Sequence, residues 1–303
     1  MLSKQETIIS ILICILLSII IKINFFPSNN NPYSSSNSQT NYYNETPSSI
    51  PQKIPNTQMY KVINIFPRKN PTVYTQGLLY YNHSLFESGG LYRKSTLTNM
   101  EWPSQKIIKQ INLEEKYFAE GIGASLENKI LYQLTYKEKE ILLYSFPDLN
   151  LIKKIKMPSE MREGWGLAYC PEKKEFYATD GSEQIFIFNI NKTNDEFILT
   201  KTIKVTLNMN PVHHLNELIS DGIYIYSNVY FSDKILKINP HNGQVMNLYD
   251  MKPLIDYELR NGNLTQGRIN RGDVLNGITY IPEKKSFILT GKLWNFYYEV
   301  IFN

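Results

Sequence analysis

Strand-length apolar runs, separated by turn signals, fill the chain from about residue 59 to its end. Some of these runs alternate apolar and polar positions, whereas others are continuously apolar and rich in Ile, Tyr and Phe. Both patterns are typical of β-strands, and dipeptides such as Asp180-Gly181 and Asn242-Gly243 mark turns between them. We find no helical periodicity that would indicate a helical repeat. The pattern therefore predicts an all-β domain over residues 59–303.

One short core recurs five times along this domain. It consists of a polar or aromatic residue, then glycine, then an apolar residue that opens a strand, and its copies begin 44, 45, 51 and 60 residues apart. A turn and further strand-like runs follow each copy. Repeats of this length with three or four strands each predict a five-bladed β-propeller, whereas a β-sandwich would not repeat one motif five times. The copies are Gln76-Gly77-Leu78, Glu120-Gly121-Ile122, Trp165-Gly166-Leu167, Asn216-Glu217-Leu218 and Asn276-Gly277-Ile278, so the fourth has Glu217 in place of glycine.

The last repeat ends at Asn303 with room for only three strands. The segment from Met59 to Phe66 precedes the first core and has the pattern of a strand. We expect it to pair beside the last blade. Such pairing closes the ring and covers two strand edges that would otherwise be exposed.

The N-terminal part of the chain has a different character. Residues Ile8 to Ile21 are almost wholly apolar, which is short for a membrane span and long for the core of a signal peptide. Because no small-residue cleavage site follows, we predict an uncleaved signal-anchor helix over residues 1–26, with a cleaved and secreted form as the alternative. Residues 27–58 are rich in Asn, Ser, Pro and Thr and predict a disordered linker.

These features predict a membrane-anchored protein of the secretory pathway, with the propeller in the ER or Golgi lumen or on the extracellular face. Membrane association would then occur through the N-terminal segment. Triplets that can accept N-linked glycans fit such a compartment, although an Asn-rich chain contains some by chance. They begin at Asn44, Asn82, Asn191 and Asn263.

Composition excludes several kinds of function. The net charge is only +4 over 303 residues and the basic residues are scattered, so nothing indicates nucleic-acid binding. Cys170 is the one cysteine beyond the apolar N-terminal run, and we interpret it as a buried hydrophobic residue. The four histidines, His83, His213, His214 and His241, lack the spacing of metal ligands. We therefore expect no catalytic metal and no cofactor, and leave open a structural cation in the channel.

The five cores predict a pocket. In a propeller the innermost strand of each blade lines the central channel, so the first residues of these strands meet at its mouth. One carboxylate, three carboxamides and several aromatic rings are expected there, which is the composition of a pocket for a small polar ligand. The residues are Gln76, Glu120, Trp165, Asn216 and Asn276, with Tyr74 and Phe118 two positions before two of them.

Motifs across essentially all of residues 59–303 resemble the plant-type glutaminyl cyclases. The resemblance implies a five-bladed propeller that converts the N-terminal glutamine of peptides and proteins to pyroglutamate and releases ammonia. It rests on eight motifs in order: Tyr74-Thr-Gln-Gly77, Leu85-Phe-Glu-Ser88, Phe118-Ala-Glu-Gly121, Glu163-Gly-Trp-Gly-Leu167, Thr179-Asp-Gly-Ser182, Leu215-Asn-Glu-Leu218, Asp273-Val-Leu-Asn-Gly-Ile278 and Thr290-Gly-Lys-Leu-Trp294.

The resemblance also implies site residues. The acid/base glutamate of the family falls on Glu120. Two further aromatic positions, usually Trp in the family, fall on Tyr136 and Tyr230, which keep an aromatic face but change its size and add a hydroxyl. The remaining substrate-binding positions fall on Tyr74, Gln76, Phe118, Trp165, Asn216 and Lys292. Gln76, Asn216 and Lys292 each remain candidates to stabilise the oxygen that gains negative charge in the reaction.

Two other functions fit the repeats less well. A non-catalytic propeller could bind peptides or a partner protein on the same face, but this does not account for a carboxylate, amides and a lysine at the matched positions. A calcium-dependent lactonase needs several carboxylates gathered in the channel. Glu120 is the only carboxylate at the first position of a core, which argues against that chemistry.

Overall fold

The computed structural model describes residues 59–303, and the strand-length runs of the sequence form five four-stranded antiparallel sheets in that region. Four sheets follow chain order, β2–β5, β6–β9, β10–β13 and β16–β19, and the fifth has the order β1-β22-β21-β20. The strands are β1 (Tyr60–Pro67), β2 (Thr75–Tyr81), β3 (Ser84–Gly89), β4 (Thr96–Glu101), β5 (Ile107–Asn112), β6 (Ala119–Ser125), β7 (Ile130–Thr135), β8 (Glu140–Ser145), β9 (Leu151–Lys156), β10 (Leu167–Cys170), β11 (Glu175–Ala178), β12 (Gln184–Ile190), β13 (Phe197–Lys204), β14 (Thr206–Leu207), β15 (Asn210–Pro211), β16 (Leu215–Ser220), β17 (Ile225–Val229), β18 (Lys234–Ile238), β19 (Val245–Asp250), β20 (Leu275–Ile281), β21 (Ser286–Gly291) and β22 (Phe296–Phe302).

The first strand of each sheet lies innermost. Strands β2, β6, β10, β16 and β20 contact one another in a closed ring, so the five sheets are the blades of a propeller. We number the blades 1 to 5 in the order of these inner strands. The five-bladed β-propeller expected from the repeats is confirmed.

The hydrophobic core lies between the faces of neighbouring blades. Phe86 of blade 1 packs with Leu131 and Leu142 of blade 2, and the other blade junctions are filled in the same way. Because both faces of a blade are covered, inner and middle strands such as β6 and β7 are buried along their whole length. Outer strands such as β5, β9 and β13 are largely exposed and therefore show mixed apolar and polar patterns.

Strand β1 closes the ring as expected. It pairs antiparallel with β22, from Tyr60 opposite Phe302 to Pro67 opposite Phe296. Blade 5 is therefore built from both ends of the described chain, and the facing edges of β1 and β22 are paired with each other.

Two insertions account for the longer spacings of the last repeats. The hairpin β14–β15 lies between blades 3 and 4, and helices α1 (Lys252–Asn261) and α2 (Gln266–Asn270) lie between blades 4 and 5. The all-β prediction missed these helices. Helix α1 buries Leu254, Tyr257 and Glu258 on one face, and this three-residue stripe is too short to stand out in the sequence.

The predicted signal-anchor (1–26) and linker (27–58) lie outside the described residues. Neither of the helices found in residues 59–303 has the length and hydropathy needed to cross a membrane.

Candidate active site

A break in strand pairing occurs at four of the five core motifs. In blades 2, 4 and 5, two residues of the inner strand face a single residue of the next strand, and blade 1 has a similar register shift. Such bulges re-aim side chains and are common beside active sites. The bulged residues include Gln76, Glu120, Asn216 and Asn276.

Hydrogen bonds fix the backbone of Glu120. Ser88 Oγ donates to the Glu120 carbonyl oxygen over 2.5 Å, and Ser88 in turn accepts from Gln133 Nε2 over 2.8 Å. The amide of the next residue, Gly121, donates to the carbonyl oxygen of Trp165 over 2.7 Å. Ser88 and Gln133 are completely buried, so Glu120 is held by a network that water does not reach.

Glu120 is buried, with only 4% of its surface exposed. Burial raises its pKa well above the ordinary value for glutamate, and the negative charge of Glu163 acts in the same direction. The positive charge of Lys292 and the side chain of Gln76 oppose this rise. A buried carboxyl group with a raised pKa can both accept and release a proton near neutral pH.

Gln76 is oriented toward Glu120 by a second amide. Asn276 Nδ2 donates to Gln76 Oε1 over 3.2 Å and to the carbonyl oxygen of Thr75 over 3.0 Å. Because its oxygen is engaged by Asn276, Gln76 directs its NH₂ group to the carboxyl group. Gln76 and Asn276 are both buried.

Lys292 lies between two aromatic rings. Its Nζ is 5.0 Å from the ring centre of Tyr74 and 4.5 Å from that of Tyr230, which is within the range of cation–π interaction. Burial lowers the pKa of Lys292 to about 8, although the charges of Glu120 and Asp273 oppose this.

Aromatic rings form two walls. On the side of blades 1 and 2, Phe118 lies 6.3 Å from Tyr74 and 5.7 Å from Tyr136, measured between ring centres. On the side of blades 3 and 4, Trp165 lies 5.7 Å from Tyr230. Lys292 contacts both walls through Tyr74 and Tyr230, so the two walls meet at this residue.

Asn216 completes the pocket beside Trp165. Thr179 Oγ1 donates to the Asn216 carbonyl oxygen over 2.8 Å and accepts from the amide of Gly166 over 2.8 Å. The Asn216 side-chain oxygen is buried and has no hydrogen-bond partner among residues 59–303. The structure thus joins all nine residues expected in the site through a continuous set of interactions.

Comparison with known proteins identifies the family. A family model described as glutamine cyclotransferase matches residues 35–302. A glutaminyl-peptide cyclotransferase from Arabidopsis thaliana is 32% identical over 244 residues, which cover 79% of this chain and 70% of that protein. The chain belongs to the glutamine cyclotransferase family. The resemblance drawn from the eight sequence motifs is confirmed.

A solved structure supports the same family. The crystal structure of Myxococcus xanthus glutaminyl cyclase matches with a TM-score of 0.68 at 28% identity, and the match covers 80% of this chain and 95% of that chain. The match to a glutaminyl cyclase structure also supports the five-bladed propeller fold.

The structure adds pocket residues that sequence reasoning did not assign. Tyr92 packs edge-to-face on Phe118 with ring centres 5.4 Å apart, and its hydroxyl donates to Glu138 Oε1 over 2.9 Å. The Gly272 carbonyl oxygen, just after α2, accepts from the Tyr74 hydroxyl over 3.2 Å. Neither residue belongs to a repeated core, so the repeat pattern carried no signal for them.

Within residues 59–303, no three His, Cys, Asp or Glu side chains gather as metal ligands would. Cys170 is fully buried in the core that blade 3 shares with blades 4 and 5. The expectation that the reaction needs no catalytic metal stays a prediction.

Proposed function

We propose that this pocket cyclises N-terminal glutamine and that Glu120 is its proton shuttle. Family membership confirms the enzyme class expected from the sequence: the chain is a glutaminyl-peptide cyclotransferase, which converts N-terminal glutamine to pyroglutamate with release of ammonia. The role of Glu120 is supported by its burial, its raised pKa and its place between Gln76 and the aromatic walls.

The reaction makes one C–N bond and breaks another. The neutral α-amine attacks the γ-carboxamide carbon of the same residue, and Glu120 accepts a proton from the attacking nitrogen. Glu120 then returns that proton to the amide nitrogen, which leaves as ammonia. A positioned shuttle of this kind contributes roughly 10² to 10⁴ in rate.

The walls and the polar groups have separate tasks. Phe118, Trp165 and Tyr230 can hold the aliphatic part of the glutamine in a bent conformation that brings amine and carbonyl carbon into contact. We assign charge stabilisation on the carbonyl oxygen to Lys292, because the NH₂ group of Gln76 is directed at Glu120. A cationic donor in a buried pocket stabilises developing negative charge more strongly than a neutral amide does.

Replacement of Glu120 by Gln tests the shuttle. Gln has the same shape but cannot carry the proton, so we expect kcat for a glutaminyl peptide to fall by at least about 10²-fold. Ionised Glu120 is unfavourable in its buried position, so the thermal unfolding temperature of the variant should not fall at neutral pH. Cyclisation is followed by mass spectrometry as the loss of one ammonia.

The matched control is Glu127→Gln, a carboxylate with an exposed side chain in the turn after β6, which should leave kcat unchanged. Undiminished turnover by Glu120→Gln would refute the shuttle. Peptide binding without turnover by the wild-type protein would instead support the non-catalytic propeller.

We also propose that the enzyme is anchored to a membrane of the secretory pathway through its N-terminal apolar segment. The proposal rests on the apolar run from Ile8 to Ile21 and on the exposure of the triplet residues Asn82 and Asn263. The protein should stay with membranes after alkaline carbonate extraction. Full release into the soluble fraction would contradict an anchor.

A further inference from the structure

Glu217 is the exception in the ring of core motifs. Its counterparts in the other copies are glycines because neighbouring inner strands nearly touch there. A Cβ added to Gly121 would lie 2.4 Å from the amide nitrogen of Leu167, and one added to Gly166 would lie 2.3 Å from the carbonyl oxygen of Asn216. Glu217 therefore brings the single long side chain to a position that is glycine in the other four copies.

The Glu217 side chain bridges blades that are not neighbours. Its residue is completely buried, and Oε1 accepts from the Leu78 amide of blade 1 over 3.0 Å. Burial raises the pKa of the Glu217 carboxyl group well above the ordinary value for glutamate, and the backbone amides of Leu78, Leu167 and Leu218 oppose this rise. Among the described residues, Oε2 has no hydrogen-bond partner within bonding geometry, so Oε1 provides the directional contact.

The three amides belong to the motifs that carry pocket residues. Leu78 follows Gln76 by two positions, and Leu167 and Leu218 follow Trp165 and Asn216 by the same spacing. One carboxylate therefore interacts with the backbone directly beneath three pocket side chains that come from blades 1, 3 and 4. Gln76 and Asn216 lie in bulges, where the regular pairing of their strands is interrupted.

We propose that Glu217 is a positioning residue for cyclisation, which sets the relative placement of Gln76, Trp165 and Asn216 by holding the amides below them. This inference rests on the proposed function of the pocket. A buried carboxyl group is an unfavourable way to fill a channel, and glycine or an apolar residue would serve stability alone. A displacement of about 1 Å in a catalytic group can lower the rate by about 10²-fold. Glu217 therefore controls kcat through the positions of these three side chains.

Two substitutions separate the reach of the side chain from its acidity. Glu217→Asp keeps the carboxyl group but shortens the side chain by one methylene, so its oxygens no longer reach Leu78. Glu217→Gln keeps the length and one acceptor oxygen but cannot ionise. We expect Glu217→Asp to lower kcat by about 10²-fold with little change in KM, and Glu217→Gln to restore most of kcat.

Thr279→Val is the matched control. Thr279 Oγ1 accepts from the Tyr80 amide over 2.8 Å and so joins blades 5 and 1 two residues further along β2 than Leu78. Its loss leaves a similar buried amide unpaired but away from the pocket. It should lower the thermal unfolding temperature at least as much as Glu217→Asp does, with kcat close to that of the wild type.

The outcomes are decisive in each direction. The proposal is overturned by wild-type kcat in Glu217→Asp, by an equal loss of kcat in the Asp and Gln variants, or by a parallel loss in Thr279→Val. If Glu217→Asp does not fold, a large loss of kcat in a folded Glu217→Gln variant also overturns it. Wild-type protein and Glu120→Gln are assayed alongside, since inactive wild-type protein would refute the proposed function rather than the positioning role of Glu217.

Discussion

At the scale of single residues, Lys292 has the clearest conflict between environment and charge. Burial lowers its pKa to about 8 from an ordinary value of 10.5. The unfolded chain therefore binds more protons than the folded protein between these two values. The contribution of Lys292 to stability consequently rises with pH over that range, so a loss of activity there cannot be assigned to unfolding caused by this residue.

We predict that kcat falls on the alkaline side with a midpoint near pH 8, because neutral Lys292 no longer stabilises the developing negative charge. Lys292→Met should lower kcat by about 10² to 10³, as expected for the loss of one such donor. The measurement is a pH–rate profile for a glutaminyl peptide at saturating concentration. An alkaline limb with the same midpoint in a still active Lys292→Met variant would show that another group titrates.

Gly181 controls the position of Trp165. It has a φ of +78°, and an added Cβ would lie 2.7 Å from the Trp165 ring. Gly181→Ala should displace the ring and raise KM severalfold, in addition to a loss of about 1 kcal/mol from the left-handed backbone. Steady-state kinetics and thermal unfolding measure the two effects.

Gly222→Ala provides the control. Gly222 also has a positive φ, +92°, but the three atoms nearest to an added Cβ there all belong to the side chain of Glu172. The control should lose similar stability and keep its KM. A KM change common to both variants would show that backbone strain, not the Trp165 contact, is responsible.

At the scale of elements, a buried ion pair joins blades 5 and 1. Arg68, directly after β1, contacts Glu87 of β3 at 2.7 Å, and its side chain is completely buried. The guanidinium group also donates to Thr75 and to Thr290. The hydroxyl of Tyr297 donates to the other Glu87 oxygen over 2.9 Å, so the pair has partners from both blades.

Arg68→Met should lower the free energy of unfolding by about 3 to 5 kcal/mol, because it leaves Glu87 buried without its counter-ion. Lys174→Met is the control, since the ion pair of Lys174 with Glu127 is exposed on both sides and is expected to contribute at most about 1 kcal/mol. Urea unfolding of both variants measures the difference. Equal stability of the two variants would show that the junction of blades 5 and 1 does not depend on this ion pair.

At the scale of the whole molecule, ring closure depends on β1. A chain that begins at Met59 keeps the strand, whereas a chain that begins at Arg68 loses it and exposes the edge of β22. Open edges promote association between chains. We predict that the first chain elutes as a soluble folded protein in size-exclusion chromatography and that the second elutes as aggregate. Soluble, active protein from the shorter chain would contradict closure by β1.

The sequence alone determined the repeat, the number of blades and the identity of the inner strands. These features are local, because blades 1 to 4 and three strands of blade 5 are each built from a consecutive segment whose apolar pattern and turn residues recur. It also indicated the pocket composition, since every inner strand begins at the same end of the channel. Eight motifs in the right order indicated the family.

Only the tertiary structure decided how the pocket residues face one another. Three sets of contacts join segments separated by about 30 to 220 residues. Lys292 lies between Tyr74 and Tyr230, Tyr92 packs on Phe118, and Glu217 accepts from the Leu78 amide. No local pattern encodes such contacts, because they depend on the bulges and on how closely the inner strands approach around the channel. For the same physical reason Glu217 looked like an imperfect repeat in the sequence and proved to be a bridge in the fold.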